Sequence, residues 1–260
     1  MTKIGSWNVN SLNVRKNQVI DYFKNNDLDI LGLQELKQED AAIDKKAFLD
    51  AGWYLETFGQ KTYNGVALLS KTPPENVVRG IPDYHDPAAR AIAASYGAMR
   101  VLNLYVPNGK AVFDEKFHYK LEWLQHVQRY IAHLCAHYPH LVVIGDFNIA
   151  PTDRDVFDPR QFQEKLLCSD AERRALHALF ALGLRDSFRE MHPEKTQFSW
   201  WDYRYNAWQR NLGLRIDLVL ISSKLRLIAA DIDTQTRQNE RPSDHSVVWA
   251  QVENPSGESA

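Results

Sequence analysis

The sequence predicts an α/β protein in which two packed, mixed β-sheets are flanked by helices. Three observations lead to this architecture. Short strand-like apolar patterns outnumber the amphipathic helix patterns, no linker rich in Pro, Gly or Ser divides the 260 residues, and no internal period indicates a solenoid or propeller. We therefore expect one domain over residues 1–253 and a flexible tail over residues 254–260.

The first half of the chain is rich in strand patterns and contains two helix patterns. Residues Val14–Phe23 follow helical spacing directly after the first strand, and apolar residues from Phe117 to Leu134 recur every three or four positions. This longer helix is expected to end before Pro139. The expected strands are Ile4–Val9, Ile30–Leu33, Trp53–Phe58, Val66–Leu69, Ile92–Tyr96 and Val101–Val106.

The second half continues the alternation of strands and helices. A helix near Leu176–Leu182 is expected to stop at Gly183, where a positive φ is anticipated. The expected strands are Leu141–Ile144, Phe198–Trp201, Ile216–Ile221, Ile228–Ile232 and Val247–Val252.

The composition is that of an ordinary folded protein. Lys and Arg number 31 against 33 Asp and Glu, so the net charge is −2, which is unusual for a protein that binds nucleic acid. No apolar run is long enough for a membrane-spanning helix, and the N-terminus shows no secretory signal. We expect a cytoplasmic protein with no membrane partner.

Apolar runs end on, or begin from, a carboxylate or an amide at five places. If these strand ends meet at one edge of the sheets, the charge density requires a metal ion. Oxygen ligands with one His and no Cys favour Mg²⁺, with Mn²⁺ as a substitute. The five places are Trp7-Asn8-Val9-Asn10, Leu33-Gln34-Glu35, Ile144-Gly145-Asp146-Phe147-Asn148, Arg215-Ile216-Asp217 and Ser243-Asp244-His245.

Each of these polar residues also has a structural interpretation. Asn8, Asn10, Asp146 and Asn148 are of the types that cap helices and make turns, and Glu35 could be a solvated residue paired with Lys37. The acid that follows Ile216 and precedes Leu218-Val219-Leu220 requires a partner, because a carboxylate inside an apolar run is seldom unpaired.

Together these residue types can hydrolyse a phosphodiester. A metal and His245 neutralise charge on the phosphoryl oxygens, while Asp146 orients or deprotonates water. Asp217 could hold His245 in the required tautomer. Asn8 and Asn148 supply neutral donors that bind phosphate or orient the water.

Seven segments occur in the order typical of one family, and they span residues 4–249. They are Ser6-Trp7-Asn8-Val9-Asn10-Ser11-Leu12, Leu33-Gln34-Glu35-Leu36-Lys37, Tyr63-Asn64-Gly65-Val66-Ala67, Leu104-Tyr105-Val106-Pro107-Asn108-Gly109, Gly145-Asp146-Phe147-Asn148-Ile149-Ala150-Pro151, Leu214-Arg215-Ile216-Asp217 and Arg241-Pro242-Ser243-Asp244-His245. With these segments the chain resembles the exonuclease III family of DNA repair nucleases, within the endonuclease/exonuclease/phosphatase superfamily. Tyr105-Val106-Pro107-Asn108 and Trp200-Trp201-Asp202-Tyr203-Arg204 narrow the resemblance to the repair branch.

The resemblance implies a four-layered α/β sandwich like that of deoxyribonuclease I. It also implies Mg²⁺-dependent 3′–5′ exonuclease action, removal of blocked 3′ ends, or incision beside abasic sites. The implied substrate is double-stranded DNA with abasic sites, nicks or 3′ ends, and the protein is expected to act as a monomer.

The family pattern also implies roles for individual residues. Glu35 is the principal metal ligand, with Asn10 and Asp244 close by; many relatives have Asp at position 10, so a second metal site should be weaker here. The remaining roles are activation of water by Asp146, positioning of water and phosphate by Asn148 and Asn8, pairing of Asp217 with His245, and a phosphate contact from Tyr105.

Two further groups of residues concern the choice of substrate. Trp200, Leu214 and Ile216 match positions that form a small apolar pocket for a deoxyribose without its base, although ordinary core packing is their alternative interpretation. Expected contacts to the DNA backbone are Lys37, Tyr63, Asn64, Arg90, Asn108, Arg204 and Arg210, each of which could equally be a solvated surface residue.

The segment Leu166-Leu167-Cys168 departs from the family pattern, because abasic-site endonucleases often carry smaller or more polar residues there. Its bulk predicts weaker abasic-site incision than 3′-end processing. Two other functions stay open: a superfamily phosphatase or phospholipase acting on a small or lipid substrate, and a non-catalytic DNA-binding relative.

Overall fold

The computed structural model describes residues 1–253, and the tail predicted for residues 254–260 lies outside the described residues. The strands, numbered in chain order, are β1 (Thr2–Asn8), β2 (Ile30–Gln34), β3 (Tyr54–Phe58), β4 (Val66–Ser70), β5 (Glu75–Arg79), β6 (Ala91–Tyr96), β7 (Met99–Tyr105), β8 (His140–Asp146), β9 (Leu184–Asp186), β10 (Asp217–Ser222), β11 (Leu227–Asp233) and β12 (Val247–Val252). The α-helices are α1 (Leu12–Asn25), α2 (Lys45–Asp50), α3 (Glu115–His137), α4 (Pro159–Phe162), α5 (Asp170–Phe180) and α6 (Ser187–Met191). No helix within residues 1–253 is long and apolar enough to cross a membrane.

The strands form two six-stranded mixed sheets. The first has the order β11-β12-β1-β2-β4-β3, and the second has the order β5-β6-β7-β8-β10-β9. Each sheet contains one parallel pair, β1 with β2 and β7 with β8, among antiparallel neighbours. The carboxyl ends of β1, β2, β7 and β8 therefore lie beside one another in pairs.

Three hydrophobic cores fix the layers. Residues from both sheets, such as Ile4 and Val142, are buried against each other between the sheets. α3 and α5 cover the outer face of the second sheet, where Val127 and Leu176 are fully buried, and α1 and α2 cover the first sheet with Phe23 and Phe48. The predicted α/β class with two packed sheets flanked by helices is confirmed.

A strand predicted at Phe198–Trp201 is wrong. Only Trp200 forms bridges there, one to Leu214 and one to His245. The backbone N–H of Trp201 instead donates to the carbonyl of Asp244, so the segment bonds to two loops and joins no ladder. Phe198 and Trp201 pack into a small separate core, which is why an apolar pattern was visible.

Several elements had no readable pattern in the sequence. β5 is largely exposed, β9 has three residues, and α2, α4 and α6 have six residues or fewer. The helix predicted near Leu176–Leu182 begins earlier, at Asp170, because Ser169 and Glu172 form a capping box. Gly183 has the expected positive φ, 92°.

Candidate active site

The five polar places of the sequence meet at one edge of the two sheets. β1 ends at Asn8, beside the end of β2, while β8 ends at Asp146, whose neighbours across the second sheet are Tyr105 and Asp217. Gly145 allows this approach, because a Cβ at its φ of 150° would lie 1.9 Å from the carbonyl oxygen of Leu104. The structure thus brings the polar strand ends together.

His245 is buried against the carboxylate of Asp217. His245 Nδ1 lies 2.9 Å from Asp217 Oδ2, and Ser199 Oγ donates to the same oxygen at 2.6 Å. Burial by itself lowers the pKa of His245, but Asp217 and then Asp146 outweigh it and raise that pKa to about 10. The imidazole is therefore protonated at neutral pH, with Nε2 on the side of Asp146 at 3.8 Å.

Asp146 lies at the centre of the cluster with 1% of its surface exposed. Its carboxylate accepts from Asn8 Nδ2 at 3.0 Å and from the backbone N–H of Asn148 at 2.9 Å. Burial raises its pKa to about 7, with a further increase from Asp217 and an opposing effect from His245. A carboxyl with such a pKa can take up and release a proton near neutral pH.

Glu35 connects the second sheet to the first. Its Oε1 accepts from Asn8 Nδ2 at 2.9 Å and from the Tyr105 hydroxyl at 2.8 Å. Burial by itself raises the pKa of Glu35, but Lys37 and Asn8 outweigh it and hold that pKa below its usual value. The carboxylate is therefore ionised and available to a cation.

Two of the three residues predicted to bind metal already contact a positive charge of the protein. The Lys37 ammonium lies 2.9 Å from Glu35 Oε2 and also donates to Asn10 Oδ1. Asp244 is held by Asn10 Nδ2 at 2.9 Å and by the Trp200 indole N–H at 3.0 Å. Carboxylate and amide oxygens without sulfur suit a hard divalent cation, so these residues fit such an ion.

A second group of possible ligands lies beside this set and shares no residue with it. Asp146, Asp217 and His245 each offer one ligand atom, and these atoms lie within 4.8 Å of one another. This group could also hold a metal ion. Both oxygens of Asp217, however, lie within 3.1 Å of His245 Nδ1, which favours proton handling at that end of the site.

The residues predicted to form an apolar pocket are packed against the chain's own loop. Leu214 and Ile216 are almost fully buried in a cluster with Leu167 and Cys168, and Leu166 and Trp200 pack at its edge. Trp200 alone among the three predicted pocket residues is partly exposed. Leu214 and Ile216, 1% and 2% exposed, therefore offer almost no surface to a ligand in this structure.

The predicted DNA contacts divide into two groups. Three of them lie beside predicted catalytic or metal-binding residues: the Lys37 ammonium is 2.9 Å from Glu35 Oε2, Arg90 lies over the Tyr105 ring at 4.8 Å, and Asn108 Nδ2 donates to Asn148 Oδ1 at 3.1 Å. Asn64 adjoins Lys37, whose backbone N–H donates to the Asn64 carbonyl at 3.0 Å.

The other three predicted contacts are exposed. Tyr63 is beside Asn64 in the same turn. Arg204 pairs with Asp202 at 2.6 Å and Arg210 donates to the Tyr205 carbonyl at 3.4 Å, so both contact their own loop.

Three supporting residues were missed by the sequence interpretation. Ser199 holds Asp217, as described above, and Ser243 Oγ donates to the carbonyl of Asn8 at 2.7 Å. Arg15 donates to the carbonyls of Arg241 and Pro242 and to that of Asn10, which ties the segment before Asp244 to β1. Ser243 stands in a motif that could have identified it, but Ser199 and Arg15 carry no such signal.

Comparisons with known proteins agree along most of the chain. The profile of the Endonuclease/Exonuclease/phosphatase family matches residues 5–245. Exodeoxyribonuclease III of Haemophilus influenzae is 34% identical over 264 residues, covering 96% of this chain and 99% of that protein.

Two solved structures share the fold closely. A variant 3′ phosphatase from Neisseria bound to a product DNA hairpin aligns with a TM-score of 0.96 at 43% identity, covering 97% of this chain and all of that one. An AP endonuclease from Archaeoglobus fulgidus aligns with a TM-score of 0.93 at 34% identity, covering 97% of this chain and all of that one.

Proposed function

The chain belongs to the endonuclease/exonuclease/phosphatase family, and on this premise we propose that it is a DNA repair nuclease of the exonuclease III type. With the help of Mg²⁺ it hydrolyses phosphodiesters at the 3′ ends of DNA and removes blocking 3′-phosphates. The observation that carries this proposal is one buried cluster, in which hydrogen bonds join Asp217 to His245 and Asn8 to both Asp146 and Glu35, and a 3.8 Å ion pair joins His245 to Asp146. The Neisseria structure, a 3′ phosphatase with product DNA, supports a 3′ end as the substrate.

In this proposal the buried carboxylate of Asp146 and the buried imidazole of His245 have different roles. Asp146, with a pKa near 7, orients water and accepts its proton, while protonated His245 stabilises charge on the phosphoryl oxygens. Asn8 and Asn148 fix the orientation of Asp146 through their hydrogen bonds. The Tyr105 hydroxyl donates its single proton to Glu35 Oε1 at 2.8 Å, so it would have to turn from Glu35 to donate to a phosphate oxygen.

Glu35, with Asn10 and Asp244, would hold the Mg²⁺ ion, and Mn²⁺ should replace it. The bound ion supplies Lewis-acid stabilisation of the phosphoryl group. Lys37 contacts two of these oxygens, so it must move or share them when the ion binds. Removal of a 3′-phosphate from a DNA duplex, measured in EDTA and with added Mg²⁺, tests this proposal, and removal that persists in EDTA would contradict it.

We propose that 3′-end processing is faster than incision at abasic sites. Leu167 and Cys168 are buried in one cluster with Leu214 and Ile216, and Leu166 packs against it, so a flipped sugar would have to displace these side chains to reach the predicted pocket. Initial rates on four duplexes, carrying an abasic site, a 3′-phosphate, a recessed end or a nick, test this order. Faster incision at the abasic site would refute it.

DNA binding in this proposal depends on local rather than net charge. Lys37 contacts Glu35, and Arg90 lies over the ring of Tyr105. Arg204 and Arg210 are exposed on the loop that follows Trp200 in the sequence. Backbone contacts of this kind release counterions, so binding should weaken as salt rises. The proposal includes action as a monomer, since one chain supplies every group of the site. It also includes a cytoplasmic location.

A further inference from the structure

A buried ion pair lies beneath the active-site loops and takes no part in the chemistry described above. It joins Lys120 of α3 to Glu172 of α5, with Nζ and Oε1 2.5 Å apart and both side chains 0% exposed. Replacing a buried ion pair with apolar residues of similar volume is often neutral or stabilising. Stability alone therefore does not explain these two charges.

Lys120 also donates hydrogen bonds to the backbone of two active-site residues. Its ammonium donates to the carbonyl oxygen of Asn148 at 2.7 Å and to that of Asn108 at 3.2 Å. Asn108 Nδ2 also donates to Asn148 Oδ1, and the Asn148 N–H donates to Asp146. Asn148 has a φ of 50°, a conformation that requires support from its surroundings.

Glu172 also accepts hydrogen bonds from the 165–169 loop, which packs on the predicted apolar pocket at Leu214 and Ile216. Its Oε1 accepts from the Leu167 N–H at 3.1 Å, and its Oε2 accepts from Ser169 N–H at 3.1 Å and Ser169 Oγ at 2.7 Å. Leu167 also has a left-handed φ, 71°. Glu172 thus holds the segment that packs on Leu214 and Ile216.

We propose that Lys120 and Glu172 are positioning residues: Lys120 sets the orientation of Asn148 and so of Asp146, and Glu172 holds the 165–169 loop closed over the apolar pocket. One buried pair thereby links the rate of hydrolysis to the choice of substrate. The inference rests on the proposed nuclease function.

The main experiment separates positioning from stability. The double variant Lys120→Met/Glu172→Met removes both charges and leaves no unpaired buried ion, so it should fold. On a 3′-phosphate duplex its kcat should fall by about a hundredfold, the effect of misplacing a catalytic group by about 1 Å, with KM unchanged. Arg100→Met is the matched control, because Arg100 is a buried cation at the opposite end of β7 from Tyr105.

A second variant tests the loop. Glu172→Gln leaves an oxygen for Lys120 but loses the acceptor of Ser169, so it should keep the 3′-end kcat and raise the ratio of abasic incision to 3′-phosphate removal. Removing one partner of a buried ion pair is destabilising, so Ser169→Ala, which removes only the Oγ donor to Glu172 and leaves the pair intact, serves the same test if either Glu172 variant does not fold.

Two results would overturn the inference: a double variant with the kcat of Arg100→Met, or an unchanged substrate ratio in Glu172→Gln. Failure of the parent chain to cleave the 3′-phosphate duplex would instead overturn the proposed function.

Discussion

Replacing Asp217 with Asn should slow hydrolysis strongly while leaving the protein folded. Asp217 is 1% exposed, and its carboxylate interacts with His245 Nδ1 at 2.9 Å and Ser199 Oγ at 2.6 Å. Asn has the same shape, but one oxygen becomes an NH₂ group.

Both neighbours meet the same oxygen, Oδ2, so the orientation of the amide matters. An NH₂ at Oδ2 would face Ser199 Oγ, which already accepts from the N–H groups of Ile216 and Asp217 and offers no free acceptor. An NH₂ at Oδ1 leaves the oxygen at Oδ2 for both neighbours, but it lies 3.1 Å from His245 Nδ1, donor against donor, and the negative charge that stabilised the imidazolium form is lost.

The size of the effect follows from the lost interaction. A hydrogen bond between charged groups contributes about 1.5–3 kcal/mol, and if that stabilisation is needed in the transition state, kcat falls by about 10- to 150-fold. Single-turnover removal of a 3′-phosphate from a duplex, with Mg²⁺ in excess, measures this rate directly.

The matched control is Asp231→Asn, in which an acid paired with Lys195 on the surface is changed in the same way. Circular dichroism should show that both variants are folded. If Asp217→Asn cleaves as fast as Asp231→Asn, the role of Asp217 in holding His245 is refuted.

Three more predictions concern the site and its support. Asp146→Asn should abolish cleavage but keep DNA binding in a mobility-shift assay, and full activity would overturn the role assigned to Asp146. Removal of divalent metal by EDTA should stop the removal of a 3′-phosphate from a duplex, and added Mg²⁺ should restore it, whereas restoration by Na⁺ alone would contradict a hard divalent cation. Asp155 is 0% exposed and accepts from Arg215 at 2.7 Å and Arg189 at 2.6 Å, so Asp155→Asn should lower the free energy of unfolding in urea by about 3–5 kcal/mol. Burial by itself raises the pKa of Asp155, but Arg215 and Arg189 outweigh it and hold that pKa below its usual value. This stabilisation is therefore present above the unfolded-state pKa and is lost as pH falls below about 4, which urea titrations at several pH values can measure against the exposed control Asp153→Asn.

The sequence predicted the strands that carry a clear apolar pattern and failed where another force decided the conformation. β4 and β10 are buried along their whole length, so continuous apolar runs marked them. β5 is mostly exposed at an edge and had no such pattern. Phe198–Trp201 had the pattern but pairs with two loops, because its aromatic rings fill a core outside the sheets.

The net charge of −2 was a poor guide to the partner. Four acids of the chain, Glu35, Asp146, Asp217 and Asp244, are gathered at one site beside Lys37 and His245. Nucleic-acid binding depends on the charge near the contacts to the DNA backbone, and the net charge of the whole protein does not show how charge is distributed over its surface.

The sequence by itself determined the sheet-forming runs, the polar residues at their ends and the resemblance that joins them. These features depend on residues that are close together in the sequence, so their patterns can be read without a structure. The tertiary structure alone decided which groups support the reacting ones: Ser199 beneath Asp217, Arg15 beneath Asn10, and Lys120 between Asn108 and Asn148. Their roles depend on burial and on hydrogen bonds between distant segments, and a lysine in a helix sequence looks the same whether its ammonium faces water or holds two carbonyls inside the protein.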